Sequence, residues 1–353
     1  MKKTDIAKLR LRNQRIADKS FSRASQVVSW LGAVQAQDYN MAKWALGLRM
    51  SGATTASVEA EIDSGAIVRT HVMRPTWHFV PAVDVRWLLD LTAPRIESAA
   101  RSRQRSLELD AKTLNRTTKI IARALEGQNH LTRQELMTVV ARKGILTNPQ
   151  RGIHIMFKAE LDGVVCNGKR RGKQFAYALL DERVPQTSPL PKEEACARLA
   201  ARYFTSHGPA TIRDFIWWSG LSPADAREGL NLVRLKLVSD EVEGQTYWSD
   251  PAEIGPTRKS VHLLPAFDEF TVSYCDRTAS VRPELMKDVT VGHAIFRPIV
   301  VVDGRVAGIW IRKYAKSGPE IDYTFFEDLK RSEQAMLRRA EKQYRAFETP
   351  HAR

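Results

Sequence analysis

Apolar runs interrupted by glycine, proline and capping residues divide the chain into a recurring order of helices and hairpins. The clearest stretch is 113–183. A helical period covers 117–126 and stops at Gly127. Leu131-Thr132-Arg133-Gln134-Glu135 is a Thr-x-x-Glu capping box, opening a second helix that runs to Lys143 and ends at Gly144. Asn148-Pro149 starts a third helix to about Leu161, with Asp162-Gly163 behind it. Two strand-like runs, 164–166 and 174–179, then flank Asn167-Gly168-Lys169-Arg170-Arg171-Gly172-Lys173, a hairpin with a basic tip. Helix, helix, helix, hairpin is the order of a winged helix-turn-helix.

The same order is expected on either side. Downstream, 193–204 forms a helix, Thr211-Ile212-Arg213-Asp214 caps the next, and Ser222-Pro223 opens a third. Strands at 235–238 and 246–248 turn around Glu243-Gly244, and this wing is acidic. Upstream, helices at 25–34 and 41–50 and a short one from Thr54-Thr55 to Gly65 precede strands 67–72 and 76–80. Thr55, Thr132 and Thr211 are 77 and 79 residues apart, as tandem duplication requires. The final third changes to β pattern. Strand runs cover 260–267 and 295–302, and Asp303-Gly304 turns the second into 305–311. An amphipathic helix over 325–347 closes the chain.

The predicted class is therefore α+β: three tandem winged helix-turn-helix units, then a small β-barrel with a terminal helix. The units are expected at 1–82, 113–185 and 190–250, with a helical linker at 83–112 and the barrel at 258–353.

Composition narrows what such a chain does. At 353 residues, with 43% apolar residues and eight tryptophans, it has ample material for more than one core. No apolar stretch reaches the ~18 uncharged residues of a membrane span, and the start lacks a signal-peptide pattern. Cys166, Cys196 and Cys275 are too scattered for a disulfide framework or a zinc site. No glycine-rich phosphate loop, HExxH or CxxC is present. A cytoplasmic, nucleoid-associated monomer without metal or cofactor is expected. The net charge of +15 points to a polyanionic partner, and double-stranded DNA suits tandem winged helices.

The candidate chemistry begins at the end of the apolar run Val27-Val28-Ser29-Trp30-Leu31-Gly32-Ala33-Val34, where Gln35-Ala36-Gln37-Asp38 follows. Amides do not transfer protons as ordinary acids or bases. A glutamine pair suits a reaction in which a water must be held and positive charge stabilised, while the leaving group already departs easily. Capping and packing are the alternative role for both glutamines. Asp38 either supports them electrostatically or caps the helix beginning near Asn40. The tip residues Lys169, Arg170, Arg171 and Lys173 suit phosphate contact, or form a solvated turn. Arg151 and Lys158 lie on the expected recognition helix of the middle copy. Arg74, Thr76 and His78 lie in the first hairpin, where alternation sends Thr76 and His78 to one face, towards DNA or into the core. Asp268 and Glu269 form the one tempting acidic pair. On a strand they would face opposite ways and could not act as a couple.

Several phrases together resemble the AlkZ/YcaQ-type winged-helix DNA glycosylases. They are Leu31-Gly32-Ala33-Val34-Gln35-Ala36-Gln37-Asp38, Met73-Arg74-Pro75-Thr76-Trp77-His78-Phe79-Val80-Pro81, Leu264-Pro265-Ala266-Phe267-Asp268-Glu269-Phe270 and Val302-Asp303-Gly304-Arg305-Val306-Ala307-Gly308-Ile309-Trp310. The likeness spans nearly the whole chain. It implies excision of alkylated purines, particularly N7-alkylguanine, from double-stranded DNA, and in some members the unhooking of interstrand crosslinks. The family's Gln-x-Gln or Gln-x-Asp catalytic motif falls on Gln35 and Gln37. Without that resemblance, a non-enzymatic DNA-binding protein such as a transcription regulator, or an RNA-binding or structural module, would fit the same repeats.

Overall fold

The computed structural model describes residues 2–253, 258–292, 295–315 and 318–349, a mixed α+β chain. It forms two compact units, one from Met1–Glu59 with Cys196–Arg353 and the other from Ala60–Ala195. These divisions fall elsewhere than the repeat boundaries. A repeat records how the sequence recurs, whereas a compact unit records which segments pack together.

The discontinuous unit begins with α1 (Lys3–Asn13), α2 (Ala24–Leu31) and α3 (Tyr39–Leu48). Gly32 ends α2 with φ 83, a conformation that favours a residue without Cβ, and lies in ordinary van der Waals contact with the Trp218 ring. The chain then runs extended through Val34–Gln35 and bends at Gln37-Asp38 into α3. Helix α4 (Thr55–Asp63) carries it into the second unit.

There, β1 (Ile67–Val72) and β2 (Arg74–Pro81) pair from Ile67↔Pro81, turning tightly at Met73 with φ 65. One long helix, α5 (Val85–Ser106), follows as the linker pattern predicts. Next come α6 (Ala111–Leu125), β3 (Leu131–Thr132), α7 (Arg133–Ala141) and α8 (Pro149–Leu161). Strands β4 (Val165–Asn167) and β5 (Ala176–Leu179) complete a three-stranded sheet in the order β3-β5-β4. Thr132 and Glu135 close the anticipated capping box, and Asn148 caps α8 with Pro149 in its first turn. Ile121, Leu125, Leu136, Val140, Ile155 and Ala159 are fully buried between these helices. Each large aliphatic side chain so buried contributes about 1.5–3 kcal/mol.

The first unit resumes with α9 (Lys192–His207), α10 (Ile212–Ser219) and α11 (Pro223–Val233), then β6 (Val238–Val242) and β7 (Gln245–Ser249). The first strand starts three residues later than expected. Glu243 and Gly244 both take positive φ and join the pair Val242↔Gln245, so the strand is counted back from that turn. Leu235 sits instead in a 3-10 turn, 95% exposed.

The C-terminal part contains β8 (Val261–Leu264), a single helical turn α12 (Glu269–Val272), β9 (Ile299–Val302), β10 (Arg305–Ala315), β11 (Gly318–Phe325) and α13 (Arg331–Glu348). Its antiparallel sheet has the order β11-β10-β9-β8 and stays open. The expected barrel is thus corrected: among the described residues there is no closed barrel. Four strands are too few to close around a filled interior. The apolar side of α13 meets the sheet instead, with Tyr344 edge-on to both Trp310 and Trp44 at 5.0 Å. Gly47 of α3 abuts the Phe347 ring so closely that a Cβ there would lie 2.4 Å from it. The Asp303-Gly304 turn is an ordinary hairpin end, with Gly304 pressed on the backbone of Ala7.

Candidate active site

The two glutamines differ sharply in setting. Gln35 is 7% exposed at the end of the extended segment, while Gln37 is exposed at the bend. Asp38 is the N-cap of α3: its carboxylate accepts from the backbone N–H of Asn40 at 3.1 Å and Met41 at 3.0 Å. Of its two expected roles the geometry shows the capping one. The cap also offsets the partial positive charge at the start of α3, so the bend presents amides beside a neutralised helix end.

Beneath this segment lies a buried polar floor. The backbone N–H of Gln35 donates to Glu269 Oε1 at 2.7 Å. The other oxygen of Glu269 accepts from Trp218 Nε1 at 3.0 Å and, in a shorter bond, from Ser273 Oγ. His207 Nε2 lies 3.7 Å from the same oxygen. Complete burial lowers the pKa of His207 against the opposing pull of Glu269, and Tyr203 stacks on its ring at 4.9 Å. A neutral imidazole is the result at neutral pH. Next along the chain, Asp268 is fully buried and grips Arg49 with both oxygens at 2.9 Å. The remaining Arg49 hydrogens go to Ala45 O, Gln14 O and Gln14 Oε1, so all five donors are used.

This corrects the strand reading of Asp268 and Glu269. They stand at the start of α12, where Asp268 caps the turn through Phe270 N. Sequence reasoning missed His207 and placed Glu269 on a strand. A four-residue helix is too short to leave a period, and the signal available was an Asp cap following Phe267.

In the second unit, the expected DNA-contact residues separate into two groups. Lys169 and Lys173 are exposed at the hairpin tip. Arg170 is half-buried, and its guanidinium donates to Lys173 O and stands over the Phe175 ring. Arg171 forms a two-pronged pair with Glu135 at 2.7 and 2.8 Å. Glu135 is held down to about 2 by the Thr132 backbone and by Arg171. Arg151, in contrast, is 7% exposed and committed to the carbonyls of Leu146, Leu107 and Glu108, so it ties α8 to the preceding loop rather than reaching solvent. Lys158 pairs with Glu97 at 2.7 Å and with Asp162. His78 is fully buried, its Nδ1 donating to Thr76 O at 2.9 Å, while Arg74 and Thr76 are half-buried. The core alternative is the one seen for His78.

Among the described residues no group of His, Cys, Asp or Glu is placed to hold a metal ion, and no helix is long and apolar enough to cross a membrane. The chain is similar to a Streptomyces sahachiroi protein named interstrand DNA cross-link repair glycosylase. They are 27% identical over 317 residues, which cover 85% of each. The solved structure of Streptomyces sahachiroi DNA glycosylase AlkZ superposes with a TM-score of 0.83 over 99% of this chain and 98% of that one. At 22% identity that likeness speaks for the fold. The family model for AlkZ-like DNA glycosylases matches residues 28–347, from the apolar run before the glutamines to the end of α13. The chain therefore belongs to the AlkZ-like DNA glycosylases, enzymes that hydrolyse the bond between base and sugar in DNA.

Proposed function

We propose that this glycosylase releases N7-alkylated, cationic purines from double-stranded DNA, including purines joined in interstrand crosslinks, and that Gln35 and Gln37 carry the chemistry. The supporting observation is that the motif offers amides alone: the neighbouring carboxylate, Asp38, is occupied as a helix cap. N7-alkylation already charges the purine, so the pair of electrons in the C1′–N9 bond passes to a base that departs neutral. No side chain has to protonate it, unlike the acid of a two-carboxylate glycosidase. Water then bonds to C1′ and gives its proton to solvent. The amide oxygens accept hydrogen bonds from that water and direct partial negative charge at the oxocarbenium-like sugar. One preorganised interaction of this kind is worth on the order of 2.7–4 kcal/mol. The repeated order of three helices and a hairpin supports a tandem winged-helix scaffold. Lys169, Arg170, Arg171 and Lys173 would meet phosphate, and Arg74 and Thr76 would add contacts to DNA.

The test is release of N7-methylguanine, and unhooking of an N7-linked crosslink, by wild type and by Gln35→Ala/Gln37→Ala. Loss of about a hundredfold or more in the double variant is expected for two such interactions. A DNA-binding wild type that releases no alkylated base overturns the substrate assignment. An active double variant overturns the role of the pair. Lys169→Ala/Arg170→Ala/Arg171→Ala is expected to weaken DNA binding and flatten its salt dependence.

A further inference from the structure

The segment that carries the glutamines is fastened at both ends to one short buried turn. Upstream, Gln35 N–H is held by Glu269; downstream, beyond the far end of α3, Arg49 is held by Asp268. Both acids are fully buried, and they are adjacent in sequence. The residue before them, Phe267, adopts φ 59, a left-handed conformation uncommon for a bulky side chain. Backbone strain of this kind persists where surrounding contacts over-determine it, and such positions cluster at functional sites. Glu269 is itself fixed, since Trp218 and Ser273 donate to its second oxygen.

We infer that Glu269 is the positioning residue of the Gln35–Gln37 segment, its buried carboxylate setting where the two amides stand relative to the reacting sugar. The inference rests on the catalytic reading of the pair but adds a residue far outside it. Glu269 is fully buried and contacts the Gln35 backbone, so it acts on the rate of the chemical step and not on DNA affinity. The same reasoning gives the phrase Phe267-Asp268-Glu269 its purpose: it anchors two points of the chain that bracket α3.

Glu269→Gln preserves size and can still accept from Gln35, but it sets an amide N–H against Trp218 or Ser273 and removes the charge. The expected result is a folded variant whose single-turnover release of N7-methylguanine falls at least tenfold, with Kd for the alkylated duplex within twofold of wild type. The amide proton of Gln35 should be strongly downfield in wild type, as charge-assisted hydrogen bonds are, and should move upfield in the variant. Ser273→Ala keeps the charge and loosens the carboxylate, and is expected to shift the same resonance and slow release about threefold. It serves if Glu269→Gln does not fold. A folded Glu269→Gln, or a Ser273→Ala, with wild-type release and an unmoved Gln35 resonance overturns the inference. Assaying Gln35→Ala/Gln37→Ala alongside separates the two readings. If that variant stays active the catalytic pair is wrong, and the resonance still decides whether Glu269 holds the segment.

Discussion

Two helices of this chain begin with the same device and use it for different ends. In α7, Thr132 and Glu135 exchange the two hydrogen bonds of a capping box, and in α10 Thr211 and Asp214 do the same 79 residues later. Glu135 remains 41% exposed and takes Arg171 of the basic hairpin as its second partner. Asp214 is fully buried: it accepts from the backbone of Cys275 at 2.9 Å and lies 3.6 Å from the guanidinium of Arg10, itself stacked over Tyr274. Sequence thus specifies where a helix starts, while burial decides how much depends on the acid that starts it. In one unit the acid steadies a surface hairpin; in the other it ties α1, α10 and the segment after α12 into one core.

The contrast is broken most severely by Asp214→Ala, which leaves Arg10 buried without its counter-charge. A loss of about 3–5 kcal/mol is expected, measured by urea denaturation. A loss below that of an ordinary cap would show the buried box to be no different from the exposed one. Thr132→Ala should cost about 1 kcal/mol, the usual value of an N-cap, and should leave the rest of the second unit's core packed. The pH dependence is smaller again. Glu135 has its folded pKa held at about 2, below its ordinary 4.5, by the Thr132 backbone and by Arg171. Its contribution is therefore present above the ordinary value and lost as pH falls from about 4.5 through about 2. Glu135→Gln should remove that slope, lowering the melting temperature somewhat at neutral pH and leaving it little changed near pH 2. The mildest effect is on reactivity. Burial first, and then the charge of Asp214, push the Cys275 thiol up to about 12. At pH 8 iodoacetamide should modify Cys275 more than about tenfold slower than free cysteine, because the thiolate is the reactive form. Alkylation at the free-cysteine rate would contradict the buried placement of the neighbouring carboxylate.

Much of the helical framework was legible because its signals are local. Caps at Thr132, Asn148, Thr211 and Ser222 fall where read, and glycines 127, 144 and 220 follow the helices they were expected to end. The open sheet was misread as a barrel because strand pattern shows which face is apolar, not what covers it. Here α13 does, through residues such as Tyr344 and Phe347 that read only as one side of an amphipathic helix. Gln35 and Gln37 were found through resemblance more than through pattern, since two amides have no periodicity. Glu269 escaped for the opposite reason: it was noticed but placed on a strand, and its importance depends on partners at positions 35, 218 and 273 that no local window contains. Arg151 shows the converse error, in that a cation on a helix expected to face DNA is occupied by backbone carbonyls.

The tether between Gln35 and Glu269 joins positions 234 residues apart. Closing a loop of that length adds little entropy beyond a shorter one, because the cost grows only as the logarithm of length. Its effect is on timing. During synthesis the glutamine segment leaves the ribosome well before its anchor, which follows 234 residues later. A chain still in synthesis would display the basic hairpin of residues 167–173 before the Gln35 backbone has its buried partner.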